Sequence, residues 1–383
     1  MTLPLALRRP LLFIAIAAGL TAPARAEDGV SDTEIRIGMV NVQSGPASAL
    51  GKGMLEGARA VFSDVNARGG VHGRQINLIV ADDGYEPERA VDETLKMIEQ
   101  SKVFSLFGFV GTPTANAVLP IIKEMDVPLV GAFTGTMSLR QPVTKQVFNV
   151  RASYDDESEV LVAHFIEKGA KTVAVFYQDD GFGAAVLSGT EKALKKRGLT
   201  VAVKGNFQRN TLAIKTGLAA MLDAKPDAVV MVGPYAPLAA FIKEARAAGL
   251  KSQLATVSFV GTDNLVHEVG KSGDGVLISQ VVPFPADDSA AAAKDCRALV
   301  AKHSGGAKLG FVNFEGCLTA QVLVNALERS GKQPTRAGLI AAMDGLKGVD
   351  LGGVTLSLAP DNHQAMNQVF LTQIRDGQIT KIR

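Results

Sequence analysis

Tryptophan is absent from this chain, cysteine occurs only twice, and neither cysteine belongs to a Cys-x-x-Cys motif. That excludes a mini-domain built on disulfides and leaves no cysteine-based metal or redox signature. Charge of one sign is also missing, since 40 Lys and Arg face 38 Asp and Glu with no basic block. Nothing electrostatic therefore points to nucleic acid as a partner. Long apolar runs are lacking too. The one candidate, Leu11 to Leu20, is ten residues, whereas a membrane-crossing helix needs ~20. His72, His164, His267, His303 and His363 contain no His-x-x-x-His pair, and the chain has no Gly-x-Ser-x-Gly elbow and no Walker phosphate loop. Gly181-Phe182-Gly183 is too short for a dinucleotide fingerprint. Metal, cofactor and catalytic readings all lack their motifs, so no metal, no cofactor and no enzyme activity is expected. An enzyme survives only as an alternative resting on scattered Asp residues.

What is present begins with an export signal. Arg8 and Arg9 precede the short apolar run, and Ala24-Arg25-Ala26 offers small residues where signal peptidase reads. Residues 1–26 are expected to be a signal peptide cleaved after Ala26. Removing its three arginines leaves 37 basic against 38 acidic side chains, so the formal charge moves from +2 to −1. Of 383 residues, 357 remain, which is more than one core usually serves, so two domains are the default.

The chain then repeats one phrase, a short β-branched run, a Gly- or Thr-rich turn and an amphipathic helix. Strands are expected at 35–42, 75–81, 104–109 and 128–132, with helices at 50–66, 87–99 and from Thr112 or Pro113 to Met125. A second series after Val150 has strands at 172–177, 199–204, 228–232, 254–259 and 275–281, with helices at 183–197, 211–222 and 237–248. Nearly continuous apolar strands alternating with helices indicate an α/β fold of parallel sheets covered on both faces. Helices near 289–303, 313–329 and 335–343 follow, then strand-like runs at 353–358, 368–374 and 379–382, the last two joined by Asp376-Gly377 as a hairpin. So short an end completes domains already built, and the chain must cross between them more than once. The expected division is 27–150 with 283–350 as the N-terminal lobe and 151–282 with 351–383 as the C-terminal lobe. Cys296 and Cys317 fall in two of these helices, where they form either one bridge or two buried thiols.

In open parallel sheets, ligands sit beyond the carboxyl ends of strands, where loops meet helix N-termini. After the third strand, Gly111 allows a turn and Thr112-Pro113-Thr114 enters a helix, with Thr112 as its cap. The free N–H groups there, with the Thr112 or Thr114 hydroxyl, suit a carboxylate. Phe133-Thr134-Gly135 ends the next strand in a second polar turn. Leu50 follows the first strand as an apolar wall, and Tyr85 follows the second and reaches toward the cleft. On the second series, Phe182, Tyr235 and Ser258 occupy corresponding strand ends. An ordinary cap, loop or core residue is the competing explanation for each one singly.

Across nearly all of the mature length the chain resembles the periplasmic leucine/isoleucine/valine-binding proteins of branched-chain amino acid ABC transporters. The resemblance is carried by Ala24-Arg25-Ala26, Ile35-Arg36-Ile37-Gly38, Ser44-Gly45-Pro46, Gly69-Gly70-Val71-His72-Gly73-Arg74, Asp82-Asp83 with Pro87, Phe182-Gly183 and Gly249-Leu250, in order and spacing. It implies a type I periplasmic-binding-protein fold, two Rossmann-like lobes joined by a three-crossing hinge. It further implies a monomer in the periplasm that captures a small carboxylate-bearing solute, a branched-chain or other amino acid, and delivers it to an inner-membrane ABC permease. By resemblance, Thr112 with Phe133, Thr134 and Gly135 holds the solute carboxylate, Leu50 and Phe182 stand where aromatics are usual, and Tyr235 takes the other tyrosine position. One departure matters: the carboxylate that pairs with the ligand ammonium is replaced by Ser258. Either Asp83, Asp179 or Asp180 supplies the missing charge, or the solute is an amine-free aromatic or aliphatic carboxylate, an amide or a urea-like molecule. An exported sensory module of the same architecture is a further alternative.

Overall fold

The computed structural model describes residues 27–382, so the expected leader lies outside the described residues. The first lobe runs β1 (Glu34–Asn41), α1 (Ser48–Ala67), β2 (Gln75–Asp82), α2 (Pro87–Glu99), β3 (Ser105–Phe107), α3 (Thr112–Glu124), β4 (Leu129–Val130) and β5 (Val147–Phe148). Its sheet has the order β2-β1-β3-β4-β5, every pairing parallel. β3, β4 and β5 are wholly buried, as expected of parallel strands covered on both faces.

The second lobe opens with α4 (Tyr154–Glu167), which the sequence reading passed over because its start, Asp155-Asp156-Glu157, looks like a solvated acidic run. Ser153 and Asp156 form a capping box that begins this helix. There follow β6 (Val173–Gln178), α5 (Gly181–Lys195), β7 (Val201–Phe207), α6 (Lys215–Ala224), β8 (Ala228–Val232), α7 (Tyr235–Ala247), β9 (Gln253–Thr256), α8 (Thr262–Val269) and β10 (Leu277–Gln280). The sheet order β7-β6-β8-β9-β10 repeats that of the first lobe, and β13 (Phe370–Arg375) and β14 (Gln378–Lys381) extend it as an antiparallel hairpin. Several details differ from the sequence expectation, β5 and α8 among them. β9 stops at Thr256, because residues 258–260 wind into a 3-10 turn. The sixth helix begins at Lys215, because Thr211 to Ala213 fold locally on the Thr211 hydroxyl.

α9 (Ala291–His303), α10 (Phe311–Arg329) and α11 (Arg336–Asp344) return to the first lobe, where α9 and α10 pack on α1. A disulfide between Cys296 and Cys317, with Cα atoms 6.0 Å apart, ties α9 to α10. The small hairpin of β11 (Val349–Asp350) and β12 (Thr355–Leu356) follows. Residues 357–366 also stay beside the first lobe: Leu358 N donates to Leu346 O, Ala365 N to Asn149 O and Met366 N to Val150 O. Residues 363–366 thus run beside Asn149 and Val150, and from Phe370 the chain lies in the second sheet. Polar residues such as His363 and Gln364 gave no sign of this, since their partners at residues 140–149 are distant in sequence. Three crossings result, near 149–153, 281–290 and 366–370, and residues 363–366, which lead into the third, run beside the start of the first.

A cleft built from strand ends of two sheets

Both sheets have the strand order 2-1-3-4-5, so each has a switch point beside its first strand, where loops diverge and leave a crevice. The carboxyl ends of the two sheets face each other, and the expected residues meet there. Leu50, Tyr85, Thr112, Thr114, Phe133, Thr134, Phe182 and Ser258 are all buried, and Tyr235 is half-buried.

The polar ledge differs in detail from a capped helix. Gly111, not Thr112, caps α3, with φ +103 that disfavours any residue bearing a Cβ. A Cβ there would also collide with the Tyr85 ring. Thr112 is thus the first helical residue, and its hydroxyl shares a 2.7 Å hydrogen bond with that of Thr134. Tyr154 adds its hydroxyl 3.4 Å from Thr134 Oγ1. Thr114 instead donates to Val110 O at 2.7 Å, which commits its proton to the strand end and leaves Thr112 and Thr134 as the ledge. Gly135 lies against Tyr154 and accepts from its N–H at 2.7 Å.

Around the ledge stand aromatic rings from both lobes. Phe259 is their hub, with ring centroids 5.4 Å from Phe133, 4.4 Å from Phe182 and 6.1 Å from Tyr85. The Tyr85 hydroxyl accepts from Gln178 Nε2 across the cleft at 3.2 Å. Tyr85 adopts φ +63, held by a 2.7 Å bond from its N–H to Asp83 Oδ1. Leu50 meets Gly261 of the opposite lobe, and the Tyr235 hydroxyl accepts from Ala49 N at 3.5 Å. Phe259, Tyr154 and Gln178 were not singled out in the sequence, because a Phe or Gln inside an apolar run looks like any core residue.

At one end of the cleft lies a charged cluster with no sequence signature. Arg151, on the first crossing, is fully buried, with its guanidinium 4.7 Å over the Phe133 ring and its Nη2 against Ser258 Oγ. It pairs with Glu157 at 3.3 Å and stands 3.6 Å from Glu315 of α10. Burial works against its charge, but Glu315 and Glu157 outweigh that and hold the guanidinium firmly protonated. Glu157 receives four bonds, from Arg151, Ser258 N, Ser258 Oγ and Ser279 Oγ. Burial pushes the Glu315 carboxyl up to about 7 against the pull of Arg151. Arg140, also buried, donates to the carbonyls of Thr134, Thr136 and Arg151 and so pins the ledge to the crossing.

Of the acids considered as substitutes for Ser258, Asp180 alone has both oxygens engaged. Asp180 caps α5 through Oδ1 and accepts from Gln178 and Arg209 through Oδ2. Asp179 is exposed. Asp83 holds Tyr85 N with one oxygen, and its buried Oδ2 has no hydrogen-bond partner.

Residues 34–378 match the family model described as periplasmic binding protein. The Leu/Ile/Val/Thr-binding protein of Salmonella typhimurium is 22% identical over 273 residues, 71% of this chain and 73% of that protein. A possible leucine/isoleucine/valine-binding protein from Rhodopirellula baltica superposes with TM-score 0.88 at 32% identity, covering 94% of this chain and 98% of the other. A substrate-binding periplasmic protein from Ralstonia solanacearum gives TM-score 0.84 at 26% identity, covering 91% and 100%. Two α/β lobes of repeated strand order, closed on a cleft lined from both, are the type I form of this architecture, and the chain belongs to the periplasmic binding protein family, a family of binding proteins rather than enzymes.

Proposed function

We propose that this protein captures a small carboxylate-bearing solute between its lobes in the periplasm and delivers it to an inner-membrane ABC permease. The observation that carries the reading is the convergence, in one closed cleft, of strand-end residues from both sheets: Thr112 and Thr134 as a hydroxyl ledge beside the N-terminus of α3, faced by Phe182, Phe259 and Tyr235. Helix N-terminal N–H groups and paired hydroxyls favour an anion, and aromatic walls favour an apolar body. The Salmonella and Rhodopirellula relatives are named for leucine, isoleucine and valine, which supports a branched-chain or other amino acid. The serine at position 258 favours instead a solute without an amine. The first lobe holds the polar end, the second closes over it, and closure excludes water and strengthens the bonds inside.

Native mass spectrometry of the purified protein identifies any retained solute. A thermal-shift screen of amino acids against amine-free carboxylates follows, since a solute at 100 times its Kd adds about 2.7 kcal/mol of stability. Solute-dependent product formation overturns the binding reading. Co-purification with a membrane receptor in place of a permease replaces the transport role by a sensory one.

A further inference from the structure

The cleft carries a buried cation where an ammonium-binding acid is expected. Arg151 stands between Phe133 of the first lobe and Ser258 of the second, touching both. Its Nη1 and Nε are buried and make no hydrogen bond, although five N–H donors are a demanding complement to leave part-used in a dry site. The nearest acid, Glu157, already accepts four bonds and has no capacity left for an ammonium. Glu315, the remaining acid in the cluster, faces Arg151 Nε at 3.6 Å. An ammonium placed at Ser258 would therefore stand against the Arg151 guanidinium, beside a Glu157 carboxylate whose four accepted bonds are already made. In a buried site that repulsion is not screened by solvent.

Resting on the cleft reading above, we propose that the solute carries a carboxylate and no ammonium group, with its apolar body against Phe133, Phe182 and Phe259 and an oxygen acceptor turned toward the unpartnered Nη1 of Arg151. A keto, hydroxyl or second carboxylate oxygen supplies that acceptor, where an amino acid would present its amine. The phenylalanine rings suit an aliphatic or aromatic body, since they provide apolar surface and no directional polar demand.

Matched probes decide the matter by calorimetric titration of the full mature protein. Leucine, 4-methyl-2-oxopentanoate and 4-methylpentanoate form one set, and phenylalanine, phenylpyruvate and 3-phenylpropanoate the other. In at least one set the amine-free acids should bind tenfold or more tightly than the amino acid, with the 2-oxo acid ahead of the plain acid. Arg151→Lys should cut the affinity for the 2-oxo acid about tenfold while changing that for the plain acid much less. A purely structural Arg151 would weaken both equally. If Arg151→Lys does not fold, the wild-type comparison decides alone. Tighter binding of the amino acid overturns the inference and leaves the carboxylate reading standing, and so does leucine binding that Asp83→Asn abolishes. Failure of all six probes, with an amide or urea bound instead, overturns the carboxylate reading and the inference with it.

Discussion

Asp83 is buried at the end of β2, and desolvation lifts its carboxyl from 3.8 to about 7. A raised carboxylate pKa means that the folded chain holds more protons than the unfolded chain between those values. Stability from this group is thus present at acid pH and falls as pH climbs from about 4 through about 7. Glu315, raised from 4.5 to about 7, adds to the same fall. Asp83→Asn should flatten part of that slope, read as Tm against pH between 4 and 8, and a slope unchanged from the wild type counts against it. The ledge gives a second test. Thr112→Val removes one partner of the 2.7 Å hydroxyl pair and leaves the other buried. Losing a hydroxyl contact to the charged solute carboxylate costs about 1.5–3 kcal/mol, so solute affinity should drop about ten-fold or more. A surface control such as Ser272→Ala should have no effect on titration.

Helix ends and helix pairs carry the next set of constraints. The Cys296–Cys317 bond closes a loop of separation 21 between α9 and α10. Removing it should cost roughly 3 kcal/mol by the chain-entropy argument, read from urea unfolding under oxidising conditions. The N-terminus of α10 belongs to the first lobe, yet its Phe311 N–H is held at 2.9 Å by Asp263 of the second. A carboxylate at a helix N-terminus is stabilising through both hydrogen bond and dipole. This contact exists only when the lobes are together, so Asp263→Ala should favour the open form and weaken solute binding by about five-fold, for a loss near 1 kcal/mol.

Across the whole molecule a second rim contact bridges the cleft. Glu86 of the first lobe accepts from Arg209 at 2.7 Å and from Asn210 at 2.6 Å. Glu86 is substantially exposed, and pairs of this kind contribute about 0.2–1 kcal/mol and weaken with salt. Glu86→Ala should lower affinity two- to five-fold at low ionic strength and much less at 1 M salt. Small-angle scattering should show correspondingly less compaction on solute addition. With Asp263 on one rim and Glu86 on the other, the two lobes are held at both edges, while residues 149–153 and 363–366 run side by side at the hinge.

The alternation of apolar strands with amphipathic helices determined the α/β class, the two series and most element positions, because periodicity is a local property of the chain. Glycines and threonines after the strands likewise marked the ledge and the walls, since strand ends in such sheets are where ligands bind. Position 258 was legible as a missing charge, but not what replaces it. Only tertiary structure decided that, by bringing together Arg151 from a crossing, Glu157 from α4 and Glu315 from α10. It also kept residues 351–366 beside the first lobe and made Phe259 the hub of the aromatic wall. Such outcomes depend on contacts between residues far apart in the chain, 216 positions for Asn149 and Ala365, and no local pattern encodes which buried charges will meet.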